Sequence, residues 1–266
     1  MKRKKTLSKK DKEIENLKII TSKNIVAMTE PSKKLKLTQH NLKTIKPLTE
    51  PQKQMFQSFM NGYHIVADGS AGTGKTFSAI YLALNEFFRK ETNYEKIIIV
   101  RSAVATRDIG FLPGNEMEKT EVFERPYADM FSEMIECNIG YKSGNIYQSM
   151  KEKGDIQFMP TSFIRGMNWD DCIVIVDELQ NMNFHEINSI LTRLGQNTKL
   201  ILCGDYIQSD LNKSKNDSTG IKRFLRIIQN MDCFDYVRFT TNDIVRSDFV
   251  KSWIIALEND MEENGV

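Results

Sequence analysis

The 266-residue sequence predicts one parallel α/β sheet with helices on both faces, and three features carry that expectation. Short, almost wholly apolar segments alternate with stretches of helical periodicity, the pattern of strands buried on both sides. Those segments run out into glycine or acidic residues, at the edge where open α/β sheets carry their binding loops. One of the loops is rich in glycine and opens a helix.

The elements follow in chain order. Residues 52–61 place Met55, Phe56, Phe59 and Met60 on one helical face. YHIVADG (63–69) is a buried strand ending in glycine, and 74–90 is a helix. KIIIVR (96–101) is the second strand; 102–118 is a loop broken at Pro113-Gly114. Helical patterns at 121–137 and 146–153 precede the strands DIQFMP (155–160) and DCIVIVD (171–177). A helix over 184–194 leads to the strand TKLILCGD (198–205). Helices over 220–230 and 244–258 flank the last strand, YVRFT (236–240). One sheet is legible and no second one, so the expectation is a single core domain.

Composition sets the outer bounds. Apolar residues make up 40% and charged residues 27% of the chain, values for a globular protein and not for a disordered one. No stretch approaches 18 uncharged apolar residues, so no membrane span is expected. No apolar segment follows the basic N-terminus, so no secretory signal is expected either. Cys137, Cys172, Cys203 and Cys233 show no metal-ligand spacing. They read as core thiols in a reducing compartment, and the expected location is the cytoplasm. His40, His64 and His185 are scattered and suggest no metal site. Trp169 and Trp253 read as packing residues.

The net charge of +2 hides an asymmetry. Residues 1–46 carry 14 Lys/Arg against 4 Asp/Glu, and residues 47–266 carry 23 against 31. A basic arm (1–46) is therefore joined to a mildly acidic body (47–266). The arm is expected to be poorly ordered, with one patch, Leu17–Met28, able to dock on the body. Its charge also suits a phosphate backbone.

The glycine loop is Gly69-Ser70-Ala71-Gly72-Thr73-Gly74-Lys75-Thr76. A triphosphate concentrates several negative charges in a small volume, and binding it takes many N–H donors converging on one concavity. Side chains would crowd that space, so glycines let the backbone wrap closely. The following helix adds the positive end of its dipole. Lys75 can reach the β- and γ-phosphates, and the Thr76 hydroxyl can ligate magnesium. This spacing, between an apolar strand and a helix, predicts an ATP and Mg2+ site.

A second strand end supports it. CIVIVDELQN puts Asp177 and Glu178 at the mouth of an apolar strand, where an isolated carboxylate is costly without a partner. Asp177 would hold magnesium through its outer shell or a water, and Glu178 would position or deprotonate the attacking water. Acidic caps at a helix start are the plainer alternative, which the phosphate loop upstream outweighs. At a third strand end, Gly204-Asp205 is followed by Gln208, whose neutral amide could sense the γ-phosphate; an Asx turn is the alternative. Gln52, upstream of the loop, could pair donor and acceptor with an adenine edge.

With these motifs the chain resembles the PhoH-type ATPases, relatives of the superfamily-1 helicase core, over about 48–258. The glycine loop is common to many families. More specific are RSAV (Arg101–Val104), GFLPG (Gly110–Gly114), the F-x-R-G of Phe163–Gly166, DELQN (Asp177–Asn181), LTRLG (Leu191–Gly195), GDYIQSDL (Gly204–Leu211) and TTNDIVRS (Thr240–Ser247). Ser102, Leu179 and Tyr206 stand where the family usually has proline, alanine and proline. The basic arm has no recognised counterpart. The resemblance implies a RecA-like P-loop NTPase fold and ATP hydrolysis coupled to work on single-stranded RNA or DNA.

A superfamily-1 motor needs two sheets and one is visible. The resemblance therefore implies a homo-oligomeric ring such as a hexamer, with an arginine from a neighbour completing the site. Arg246 is the first choice for that finger and Arg193 the second. Arg101 and Arg165 are expected at phosphates of the nucleic acid, with Phe111 and Phe163 as stacking partners. Two readings compete: a nucleic-acid-stimulated ATPase, and an ATP-dependent switch that binds a protein partner without unwinding. Intact Glu178 favours hydrolysis. A kinase on the same loop is disfavoured by the acidic pair followed by GD-x-x-Q.

Overall fold

The computed structural model describes residues 37–89, 91–102, 116–136, 144–205 and 218–264. The patch Leu17–Met28, Cys137, Phe111 and Gln208 lie outside them. From Thr38 onwards the described residues form one compact unit.

Six strands build one sheet: β1 (His64–Gly69), β2 (Lys96–Arg101), β3 (Ile156–Pro160), β4 (Cys172–Asp177), β5 (Thr198–Gly204) and β6 (Phe234–Phe239). Their spatial order is β3-β2-β4-β5-β1-β6, and every pair is parallel. All strands therefore end at one edge, and the loops that leave them share that edge. Between them run α1 (Glu50–Met60), α2 (Lys75–Phe87), α3 (Glu116–Met134), α4 (Gly144–Lys153), α5 (Phe184–Leu191), α6 (Ser218–Ile228) and α7 (Asp248–Asn264).

The apolar runs are buried because both faces are covered. Ile98, Val100, Val174, Val176, Val66, Leu200 and Leu202 face one side, packed with Ile187 and Ile190 of α5 and Phe224 and Ile228 of α6. Alternation sends Ile97, Ile99, Ile173 and Ile175 to the other side, where α2 lies across β2, β4 and β5. Each fully buried aliphatic side chain here contributes about 1.5–3 kcal/mol of transfer free energy, so the central strands dominate stability.

Three local outcomes differ from the sequence reading. The expected helix over 244–258 starts only at Asp248. Ile244 and Val245 supply the helical-looking apolar positions, but they pack on the glycine loop, and the Val245 N–H donates to the Gly72 carbonyl at 3.1 Å. Cys233 is exposed, unlike the buried Cys172 and Cys203. Trp253 is 62% exposed, while Trp169 is in the core at 2%. The last residues of the basic arm are tied down. Lys43 N–H donates to Met134 O at 2.8 Å, and Glu136 N–H to Asn41 O at 2.7 Å. None of the described helices is long and apolar enough to cross a membrane.

Candidate nucleotide site at the strand ends

The loop between β1 and α2 is shaped by contacts only glycine allows. Gly69 has φ 133°, and a Cβ there would fall 1.8 Å from the Phe239 carbonyl oxygen of β6. Gly74, at φ 81°, is the left-handed residue preceding α2. Ser70 and Thr73 are buried, and the Thr73 hydroxyl donates to the Ser70 carbonyl at 2.9 Å. Lys75 Nζ lies within the loop and donates to Gly69 O at 2.6 Å and Ser70 O at 2.8 Å. The third donor of the ammonium reaches Thr73 Oγ1 at 3.4 Å, so a phosphate that engages Lys75 takes over one of these contacts.

The acidic strand end meets the loop directly. Thr76 Oγ1 donates to Asp177 Oδ1 at 2.8 Å. The other carboxylate oxygen, Oδ2, accepts from the Tyr127 hydroxyl of α3 at 2.8 Å. Tyr127 is buried, and burial together with the Asp177 charge pushes its phenol well above the ordinary range, so it stays a donor. The two partners fix Asp177 in one orientation, with its charge beside the Thr76 hydroxyl. A hydroxyl held against a carboxylate at a helix N-terminus is a donor set suited to a small hard cation such as magnesium. Thr76 would be the direct ligand, and Asp177 would act behind it.

Glu178 follows in left-handed backbone, φ 55° and ψ 44°, a strained conformation for a residue with a side chain. It turns the chain out of β4 into a short 3-10 turn, Leu179–Asn181, pinned by fully buried Leu179. Glu178 Oε2 accepts from Gln180 Nε2 at 2.5 Å, and Gln180 Oε1 accepts from the Asp205 N–H at 3.1 Å. Asp205 is buried at the exit of β5. Burial, then the Asp177 charge, raises the Cys203 thiol well above its ordinary value, so it stays a neutral spacer.

The structure gives four further candidate residues contacts within the chain. Gln52 is bonded at both ends of its amide. Its Nε2 donates to the Thr73 carbonyl at 2.9 Å and its Oε1 accepts from the Leu48 N–H at 2.7 Å, so it clamps the loop to the start of α1. Arg246 needs no second subunit to reach the loop: a Cβ on Gly72 of the same chain would lie 3.1 Å from Arg246 Cγ. Arg246 therefore has a place over the loop of its own chain. Arg193 is a pin, its Nε donating to the Ile164 carbonyl at 3.3 Å. Arg101 turns towards α3, its guanidinium 5.7 Å from the Phe123 ring centre and close enough to lower the Tyr127 pKa against the other influences.

A second, polar cleft of about 530 Å³ opens at the ends of β2 and β3 and the start of α5, lined by Ser102, Thr161, Arg165, Asn183, His185 and Ser189 among others. Its floor is ordered: Thr161 Oγ1 donates to Glu186 Oε1 at 2.7 Å, and Glu186 closes a capping box with Asn183. Ser102 Oγ is buried and has no hydrogen-bond partner among the described residues. Phe163, in the adjacent turn, is 51% exposed. Tyr127 and Gln180 are the site residues that the sequence reading passed over. Gln180 was visible inside DELQN, whereas nothing local marks Tyr127 as the partner of a residue 50 positions on.

A glycine loop between β1 and α2, an acidic pair at the end of β4 and one strand, β5, inserted between their strands define a RecA-like P-loop NTPase domain. More narrowly, the chain belongs to the PhoH-like protein family, whose sequence pattern matches residues 44–258. The PhoH-like protein of Bacillus subtilis (strain 168) is 30% identical over 217 residues, which cover 81% of this chain and 65% of that protein. The PhoH-like protein of Synechocystis sp. is 31% identical over 215 residues, 80% of this chain and 62% of that protein. The chain thus spans less than two thirds of the length of these relatives. Among solved structures, the large terminase of a thermophilic bacteriophage superposes with a TM-score of 0.48 and 12% identity, over 78% of this chain and 50% of that chain.

Proposed function

We propose that this domain binds ATP with Mg2+ and hydrolyses it, and that turnover is coupled to binding of single-stranded RNA or DNA. The bond between Thr76 and Asp177 carries the first part, because it joins the phosphate loop to the acidic strand end. The loop N–H groups, the α2 dipole and Lys75 bind the triphosphate. Thr76, with Asp177 behind it, would hold magnesium, which would supply charge neutralisation when bound. Tyr127 keeps Asp177 oriented. Glu178 orients a water and accepts its proton, and Gln208 lies three residues beyond the β5 exit in the sequence, suited to sensing the γ-phosphate. Arg246, over its own loop, adds a positive group that can lean towards the phosphates without leaving the chain.

The cleft at Ser102 and Arg165 supports the second part. It opens at the same sheet edge, carries a guanidinium and several hydroxyls, has the exposed Phe163 in the adjacent turn, and suits a sugar-phosphate strand with stacked bases. The basic arm adds charge for a phosphate backbone. With one sheet among the described residues, a homo-oligomeric ring in the cytoplasm is the assembly this reading favours. ATP hydrolysis measured with and without RNA and DNA oligonucleotides, alongside oligomer mass, is the test. Stimulation by one polynucleotide in a ring is expected. A rate indifferent to both, from a monomer, contradicts the coupling and the assembly.

A further inference from the structure

We propose that Gln180 is a positioning residue for hydrolysis, holding the Glu178 carboxylate and tying it to the exit of β5; this rests on Glu178 being the base. One side-chain amide spans two strand ends. Its donor end holds Glu178 Oε2, and its acceptor end takes the Asp205 N–H. Both ends are placed by rigid surroundings. Leu179, fully buried beside Gln180, anchors the 3-10 turn, and the turn closes on itself through Asn181 N–H to Glu178 O at 2.9 Å. Gly204 leaves the room: a Cβ there would stand 3.0 Å from Leu179 Cβ and 3.3 Å from Gln180 Oε1.

The chemistry of an amide suits this task. A general base acts through one oxygen, and its efficiency depends on orientation. Anchoring one carboxylate oxygen selects a rotamer and leaves the other oxygen for the water. A lysine in the same place would add a competing charge, and a serine could not reach both partners. The amide donates without titrating and without neutralising Glu178. Because the same amide accepts from the Asp205 backbone, a shift of the β5 exit reaches the base through one side chain.

Three variants of the full chain test this: Gln180→Ala, Gln180→Glu, and Gln180→Ala combined with Glu178→Gln. Nucleotide affinity, kcat, KM and thermal stability are measured for each. Gln180→Ala is expected to lower kcat about ten- to hundredfold with affinity and KM within about twofold. Gln180→Glu can still accept from Asp205 but cannot donate to Glu178, and it is expected to lose at least as much rate. In the Glu178→Gln background, Gln180→Ala is expected to change the residual rate by less than about twofold, since residues acting through one group are not additive. A Gln180→Ala protein turning over at or above the parent rate overturns the proposal. So does a Gln180→Glu protein that keeps the parent rate, which would make the Asp205 tie the only role, and so does an additive loss in the double variant. If Glu178→Gln alone turns over at the parent rate, the base assignment fails and the positioning role falls with it. A slow Glu178→Gln beside a parent-rate Gln180→Ala removes the positioning role alone.

Discussion

The phosphate loop and the Ser102 cleft sit on the same edge of the same sheet, yet they are built in opposite ways. Around the loop the polar groups are spoken for. Lys75 is bonded to two loop carbonyls, Thr76 to Asp177, Asp177 also to Tyr127, and Gln52 to both Thr73 and Leu48. In the cleft a buried hydroxyl, Ser102 Oγ, has no partner among the described residues. The loop is a cradle set in advance, which lowers the ordering cost when a nucleotide binds. The cleft instead has this hydroxyl, without a partner among the described residues, at a site that carries a guanidinium. An unmet buried group costs about 1–3 kcal/mol in the free protein, so a ligand that satisfies it gains affinity from that cost.

The contrast is broken most severely at Gly69. Gly69→Ala forces a Cβ to within 1.8 Å of the Phe239 carbonyl at a backbone angle that alanine rarely adopts. Nucleotide binding should disappear, and stability should fall by about 3 kcal/mol or more, read from denaturant titration. Full binding by that variant would mean that the loop adapts and is not set in advance.

Gln52→Ala is the next strongest test. It strands a buried carbonyl and a backbone N–H that now bond to one amide. A loss of about 1–3 kcal/mol of stability is expected, together with roughly tenfold weaker nucleotide binding. The weakening should be equal for ATP and GTP, because the amide clamps the loop and does not read the base. A selective loss for ATP would return Gln52 to adenine recognition.

Ser102→Ala should behave in the reverse sense. Removing a buried hydroxyl that has no partner among the described residues should leave stability unchanged or raise it by up to about 1 kcal/mol, since no hydrogen bond to those residues is lost. Basal hydrolysis should be unaffected, while stimulation by the preferred polynucleotide should fall several-fold. A destabilised Ser102→Ala protein would show that the hydroxyl is satisfied within the fold.

Which parts were legible in the sequence follows from the same contrast. The six strands and the loop between β1 and α2 were readable because their causes are local. Apolar runs, glycine spacing and an acidic pair at a strand mouth need no knowledge of distant partners. The contacts of Gln52 and Arg246 were not readable, because each is set by what packs against it. Gln52 finds Thr73 at 21 positions' separation, and Arg246 arrives through the segment from Ile244 to Ser247, which crosses the loop before α7 begins. Tyr127 reaches Asp177 from a helix that carries no sign of it. Trp253 and Cys233 were misjudged for a different reason: apolar character permits burial but does not compel it, and both stay at the surface.

Glu178, at the end of β4 and beside the magnesium-suited pair Thr76 and Asp177, is the residue proposed to turn a phosphate cradle into a hydrolase. Separate measurement of ATP affinity and single-turnover hydrolysis in Glu178→Gln tests it most directly. The substitution keeps shape and leaves Lys75, Thr76 and Asp177 in place, so affinity should stay within about threefold of the parent. Hydrolysis should fall by about 10² or more, the range a positioned general base supplies. A Glu178→Gln protein that hydrolyses ATP at the parent rate would contradict the account.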